Sequence, residues 1–219
     1  MKYLFLLFLA LQASQVAAQS SCSSDQAVAV KLISERFTNA DCAACWTKPM
    51  LTGTSGTTLD WLAPSPAGDD APLSAAANRD ALLRLENLKI SLPKEQVVIK
   101  TDIKKSKFKV RVAHGLAVAG YIGTSIELTR FPKIKQPSRK LTAVLLLTET
   151  IPKGTADSPI ERSLVRNMLI DTWSTTTVTR RPLSIPAGVN PDNLRVVGWV
   201  HDEKGRVLAA AQSKCIEPK

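Results

Sequence analysis

Residues 27–46 read AVAVKLISERFTNADCAACW: an apolar run of strand length, a turn, then two cysteines separated by two alanines. Ala27–Ile33 predicts a short strand, and Thr38-Asn-Ala-Asp41 predicts a turn and helix N-cap. Cys42 to Met50 then form a short helix that Pro49 bends or ends. This order sets Cys42 at the head of a helix, where unpaired N–H groups and the helix dipole favour thiolate. Cys45 lies one turn further in, able to resolve a mixed disulfide. Ala43-Ala44 supply no cation and Asp41 opposes thiolate, so the expected acidification of Cys42 is modest. The spacing admits dithiol exchange, an inert local disulfide or half of a metal site. A zinc centre would need all four cysteines, because His114 and His201 stand at no ligand spacing from a second cysteine pair. No metal and no cofactor is assigned.

Working outward, Leu59-Asp-Trp-Leu62 predicts a short buried strand closed off by Ala63-Pro-Ser-Pro66. Asp69 or Asp70 is the expected cap of a helix over Leu73–Leu88, whose Ala76, Ala77, Ala81, Leu82, Leu85 and Leu88 fall on neighbouring faces. Beyond Ile90 the pattern turns to alternation. Val97–Ile103 and Phe108–Val112 predict a hairpin about Lys104-Lys-Ser-Lys107, with Phe108, Val110 and Val112 inward and Lys107, Lys109 and Arg111 outward. Further strands are predicted at Thr124–Thr129, Leu141–Thr148 and Thr175–Thr179, and a final pair at Leu194–Val200 and Arg206–Ala211. Ile160–Ile170 has helical spacing. Helices near the N-terminus followed by strands over residues 95–212 predict an α+β fold.

The 219 residues suit one domain or two small ones sharing a core. At 44% hydrophobic and 22% charged, the composition excludes disordered, collagen-like and coiled-coil chains. Met1-Lys2, the apolar run Leu4–Leu11 and Val16-Ala-Ala18 predict an export signal over residues 1–18, cleaved near Ala18, giving a periplasmic or secreted protein. The run is about half the roughly 20 residues a spanning helix needs, so no membrane span is expected. Cys22, Cys42, Cys45 and Cys215 all follow the signal and meet an oxidising compartment. The favoured pairing joins Cys42 to Cys45 and Cys22 to Cys215.

Lys and Arg number 29 against 19 Asp and Glu, a net charge of +10. Between Lys89 and Lys140 lie 13 of these cations, including Lys100, Lys104, Lys105, Lys107, Lys109, Arg111, Arg130, Lys133 and Lys135, against Glu95, Asp102 and Glu127. They form a solvated strand face or an anionic surface contact. Export and the lack of interleaved aromatics disfavour nucleic acid. Trp61, Trp173 and Trp199 are expected in the core, and Trp46 beside the cysteines is a core residue or a candidate substrate contact. His114 and His201 receive no role, and no phosphate loop or nucleophile elbow is present.

Phe37-Thr-Asn-Ala-Asp-Cys42-Ala-Ala-Cys45 resembles the active-site entry of exported thioredoxin-like proteins. Leu59–Leu62, the Arg79-containing helix, Val196–Asp202 and Gly205–Ala211 are similar to a bacterial secreted thioredoxin-like family of unknown function. The resemblance implies a thioredoxin-like part over residues 19–92 and a β-rich, sandwich-like part over residues 93–219 that shares its core. It implies exchange with protein thiols or disulfides through Cys42, which attacks, and Cys45, which resolves. Thioredoxin folds place a cis-proline opposite the cysteines; Pro93, a candidate substrate contact, and Pro191 are the candidates here. The alternative is a non-catalytic binding or assembly module with structural disulfides.

Overall fold

The structure, a computed structural model, describes residues 22–25, 27–48, 56–130 and 140–215. The export signal, Pro49, Lys133 and Lys135 lie outside the described residues. In chain order the elements are β1 (Cys22–Ser23), β2 (Leu32–Asn39), α1 (Ala43–Thr47), β3 (Thr57–Ala63), α2 (Arg79–Asn87), β4 (Gln96–Asp102), β5 (Lys109–Val118) and β6 (Tyr121–Arg130). They continue as β7 (Leu141–Ile151), β8 (Arg162–Trp173), β9 (Val178–Ser184), β10 (Leu194–Asp202), β11 (Val207–Gln212) and β12 (Lys214–Cys215).

These strands form two sheets, a seven-stranded one ordered β11-β10-β7-β8-β3-β2-β4 and a five-stranded one ordered β12-β1-β5-β6-β9. In the larger sheet β2 pairs parallel with β3, and β3 touches β8 in parallel at Asp60 and Leu164; the remaining pairings are antiparallel. Alternation along β7 and β10 divides the interior. Leu141, Ala143, Leu145, Leu147, Val196 and Val200 face the smaller sheet and pack on Val112, Ile122, Ile126 and Leu128. Val144, Leu146, Val197 and Trp199 point the other way, onto a core with Phe37, Trp61 and the α2 residues Ala81 and Leu85. The period of two thus fills two cores from one pair of strands.

Gly198 sits where the sheets approach closest. A Cβ there would lie 2.9 Å from Ile126 Cδ1 and 2.9 Å from Val112 Cγ1, so only glycine lets this layer close. On the opposite face, Arg84 of α2 donates from Nε and an Nη to the two oxygens of Glu35, at 2.8 and 2.6 Å, and its guanidinium lies 5.0 Å from the centre of the Trp199 ring. A bidentate pair of this kind fixes the helix rotationally on the sheet.

The expected thioredoxin-like α+β fold is not found: the chain is predominantly β, two packed sheets with one helix of nine residues on the outer face of the larger. Three local differences produce this. Ile160–Ile170 is not helical: from Arg162 onward it belongs to β8, which pairs with β7 along its length, from Leu141 opposite Trp173 to Ile151 opposite Arg162. Ladder pairing and burial outweigh the helical spacing. The predicted hairpin over residues 97–112 does not exist either. β4 pairs with β2 in the large sheet and β5 with β1 and β6 in the small one, so Ile103–Phe108 carries the chain between layers. Its Lys104-Lys-Ser-Lys107 offers none of the Gly or Asn residues a tight hairpin turn favours. Finally, Ser74–Ala76 is a short 3-10 turn and α2 starts only after Asn78, whose Oδ1 accepts a hydrogen bond from the Asp80 N–H at 2.8 Å. Asparagine competes for backbone donors and so caps the helix, in place of Asp69 or Asp70.

The strand expected over Ala27–Ile33 is found as β2, which starts at Leu32 and leaves Ala27–Lys31 outside the ladder. The final pair over residues 194–211 is a hairpin, with Val197 opposite Gln212 and Val200 opposite Ala209. Trp61, Trp173 and Trp199 are buried. Disulfides join Cys22 to Cys215, tying β1 to β12, and Cys42 to Cys45. Among the described residues no helix is long and apolar enough to cross a membrane.

Candidate disulfide site

β2 ends at Asn39, and this side chain shapes the approach to the cysteines. Its Nδ2 donates to the Pro93 carbonyl at 2.9 Å and its Oδ1 accepts from the Asp41 N–H at 2.9 Å. Its backbone carbonyl accepts from the Cys42 N–H at 2.9 Å. An asparagine that bonds its own chain two residues on makes a tight turn of this sort without glycine. Cys42 stands at the N-cap of α1, and the Cys45 N–H donates to its carbonyl at 3.1 Å. Both cysteines are half-buried, neither sealed under side chains nor fully open. Asp41 is exposed and accepts a hydrogen bond from the Ser65 hydroxyl at 2.8 Å, so a carboxylate borders the first sulfur.

Trp46 is 6% exposed, the one buried residue of α1. Its Nε1 donates to the Ala156 carbonyl at 2.7 Å. The Arg162 guanidinium lies 3.9 Å from the centre of its ring and donates to the Trp46 carbonyl at 2.6 Å. Trp46 is therefore a wedge that anchors the helix, packed with Leu62, Ile151 and Leu164 in a small core of its own. Arg162 in turn donates to Ser158 Oγ at 2.7 Å and to Asp60 Oδ1 at 3.0 Å. Asp60 also accepts from Arg36 Nε at 2.6 Å, and its Oδ2 from the Ser163 N–H at 3.1 Å. Burial draws the Arg162 guanidinium below the ordinary arginine value, and the Asp60 carboxylate opposes that shift. Two arginines and one aspartate, all nearly inaccessible, thus form the floor beneath the disulfide helix.

Sequence reading did not find this floor. Its one signal was an acidic residue inside the apolar run Leu59-Asp-Trp-Leu62; the two arginines lie 24 residues before and 102 after it, at separations no local pattern connects. Pro93 reaches the site through its carbonyl on Asn39. No cis peptide bond occurs among the described residues, and Pro191 opens the short 3-10 turn that precedes β10. The Cys22 and Cys215 sulfurs and a His114 ring nitrogen lie within 4.8 Å of one another, a ligand set whose two sulfurs are already spent on their disulfide.

No known family model matches the chain, and no curated protein matches it. Among solved structures, a protein from Agrobacterium tumefaciens is 13% identical and aligns over 88% of this chain and 97% of its own, with a TM-score of 0.44. An endonuclease/exonuclease/phosphatase from Beutenbergia cavernae is 11% identical over 56% of this chain and 30% of its own, with a TM-score of 0.30. At these scores neither likeness identifies the fold or the function of this chain.

Proposed function

We propose that the chain is an exported, periplasmic or secreted, thiol–disulfide exchange protein acting on protein thiols or disulfides through Cys42 and Cys45. The observation that carries this reading is the half-buried Cys42–Cys45 bridge at the head of α1, held by a rigid floor that does not cover it. In the oxidised form, a substrate thiol loses its proton to solvent and its thiolate attacks one sulfur of the bridge. The Sγ–Sγ bond breaks, its electron pair leaves on the other sulfur, and a mixed disulfide forms. A second substrate thiolate displaces the enzyme sulfur. The substrate dithiol is then oxidised to a disulfide and the pair is reduced by two electrons. In the reverse direction the Cys42 thiolate opens a substrate disulfide and Cys45 resolves the intermediate. A five-residue helix with Asp41 at its head stabilises thiolate only weakly, so the exchange is slow unless a partner adds cationic charge.

The rigid clamp of Arg162 on Trp46 favours a second reading, a binding or assembly module in which both bridges are structural. Equilibration against glutathione, with alkylation and peptide mapping of Cys42 and Cys45, separates the two. A potential above about −300 mV, and a Cys45→Ser variant that accumulates a mixed disulfide on Cys42, support exchange. A bridge that stays closed below that potential removes the exchange reading.

A further inference from the structure

The seven-stranded sheet leaves a groove beside its β11 edge, at the opposite end of β2 from the cysteines. One wall is β11 from Leu208 to Ala211; the others are Ala27–Lys31, left out of β2, and the crossover Ile103–Ser106 with the start of β5. The cavity measures about 770 Å³, within the roughly 300–1,000 Å³ typical of small-ligand sites.

Its walls join the two cores. Val30 and Ile103 pack on the helix-side core, Phe108 and Val110 on the core between the sheets, and all four are half-buried where they line the groove. Ala209, Ala210 and Ala211 along the β11 side carry no side chain beyond a methyl group, which leaves width. Val28, at the mouth, is 88% exposed. The cations are segregated to the rim: Lys31, Lys104, Lys105 and Lys109 are exposed. Asp25, also in the lining, is engaged by Arg111 through two bonds of 2.7 and 2.8 Å, and none of the four lysines has an ion pair among the described residues. The groove thus offers apolar walls and a ring of ammonium groups whose nearby carboxylate is already committed.

We propose that this groove binds a free single-chain anionic amphiphile, with the acyl chain against Val30, Ile103, Phe108, Val110 and Leu208 and the anionic head at Lys104, Lys105 and Lys109. An acyl chain needs no hydrogen bonds from those walls. A peptide strand could pair with β11 on one side only and would leave its other backbone groups facing hydrocarbon, at a cost the groove does not offset. The site is independent of Cys42 and Cys45.

The test uses the oxidised protein titrated by calorimetry with dodecanoate below its micelle concentration, alongside acetate, dodecanol, an acidic octapeptide and phosphatidylglycerol vesicles. Saturable one-to-one binding of dodecanoate is expected, with dodecanol weaker by roughly tenfold and acetate not bound. Lys104→Gln with Lys105→Gln weakens binding about tenfold and more at low salt than at high. Ala29→Trp, placed on an exposed wall, weakens it by a similar factor, and unchanged thermal melts show that both variants are folded. The proposal is overturned if acetate matches dodecanoate, if only vesicles or only the peptide bind, if no titration saturates, or if both variants bind as the parent does.

Discussion

Asp60 receives a guanidinium from Arg36 and another from Arg162, with all three side chains withdrawn from water. Removing one member of such a cluster strands the charges that remain, which costs far more than the intact cluster contributes. Asp60→Asn should lower unfolding free energy by about 3–5 kcal/mol in urea titrations. A loss below about 1 kcal/mol would show the arginines compensated elsewhere. His114 is buried, and burial holds its imidazole below the ordinary histidine range, with the Gly115 carbonyl opposing. A folded-state value that is depressed contributes stability above the unfolded value and loses it as pH falls. The stability advantage of the parent over His114→Gln should therefore shrink from about pH 7.5 to 5.5; an advantage that grows would contradict this sign. At this scale the sequence gives the cysteine pairing but not the partners of its buried charges. The C-x-x-C spacing identifies two sulfurs one turn apart, whereas nothing local predicts that Trp46 lies between Arg162 and the Ala156 carbonyl.

Elements show where local pattern holds and where it is overruled. The hairpin over residues 194–211 has its turn chemistry in Asp202-Glu-Lys-Gly205, and the structure forms it, with the Gly205 N–H donating to the Asp202 carbonyl at 2.9 Å and Gly205 at a φ of 75°. Pro182 lies in the middle of β9, tolerable because β9 is the edge of its sheet. β8 and β4–β5 are the failures, and both are failures of partner choice: strand partners are chosen across the sheet, by which face each neighbour buries. β10 carries the sharpest local constraint. Gly198→Ala would press a methyl group into Ile126 and Val112 and should cost about 1–3 kcal/mol, read as a lower melting temperature. Restoration of that temperature by a second substitution, Ile126→Val, would locate the strain at this contact.

For the molecule as a whole, the bridge from Cys22 to Cys215 spans 193 residues of chain and closes β1 and β12 into one short ladder. By the chain-entropy estimate it restricts the unfolded ensemble by about 5 kcal/mol, of which measured values often return less. Cys22→Ser with Cys215→Ser should lose between about 2 and 5 kcal/mol of stability while the Cys42–Cys45 bridge still forms, checked by denaturation and by mass after alkylation. An unchanged denaturation midpoint would mean that the sheets alone hold the termini. What the amino-acid order determines by itself is the alternation of strands such as β6, β7 and β10, the turn at 202–205, a buried tryptophan set and a cysteine pair at a helix head, because each depends on neighbours within a few residues. Sheet order, the crossover at 103–108, the Arg36–Asp60–Arg162 floor and the groove beside β11 were decided only by tertiary structure. They depend on strands far apart in sequence that settle side by side where they bury the most apolar surface and leave the fewest charges alone.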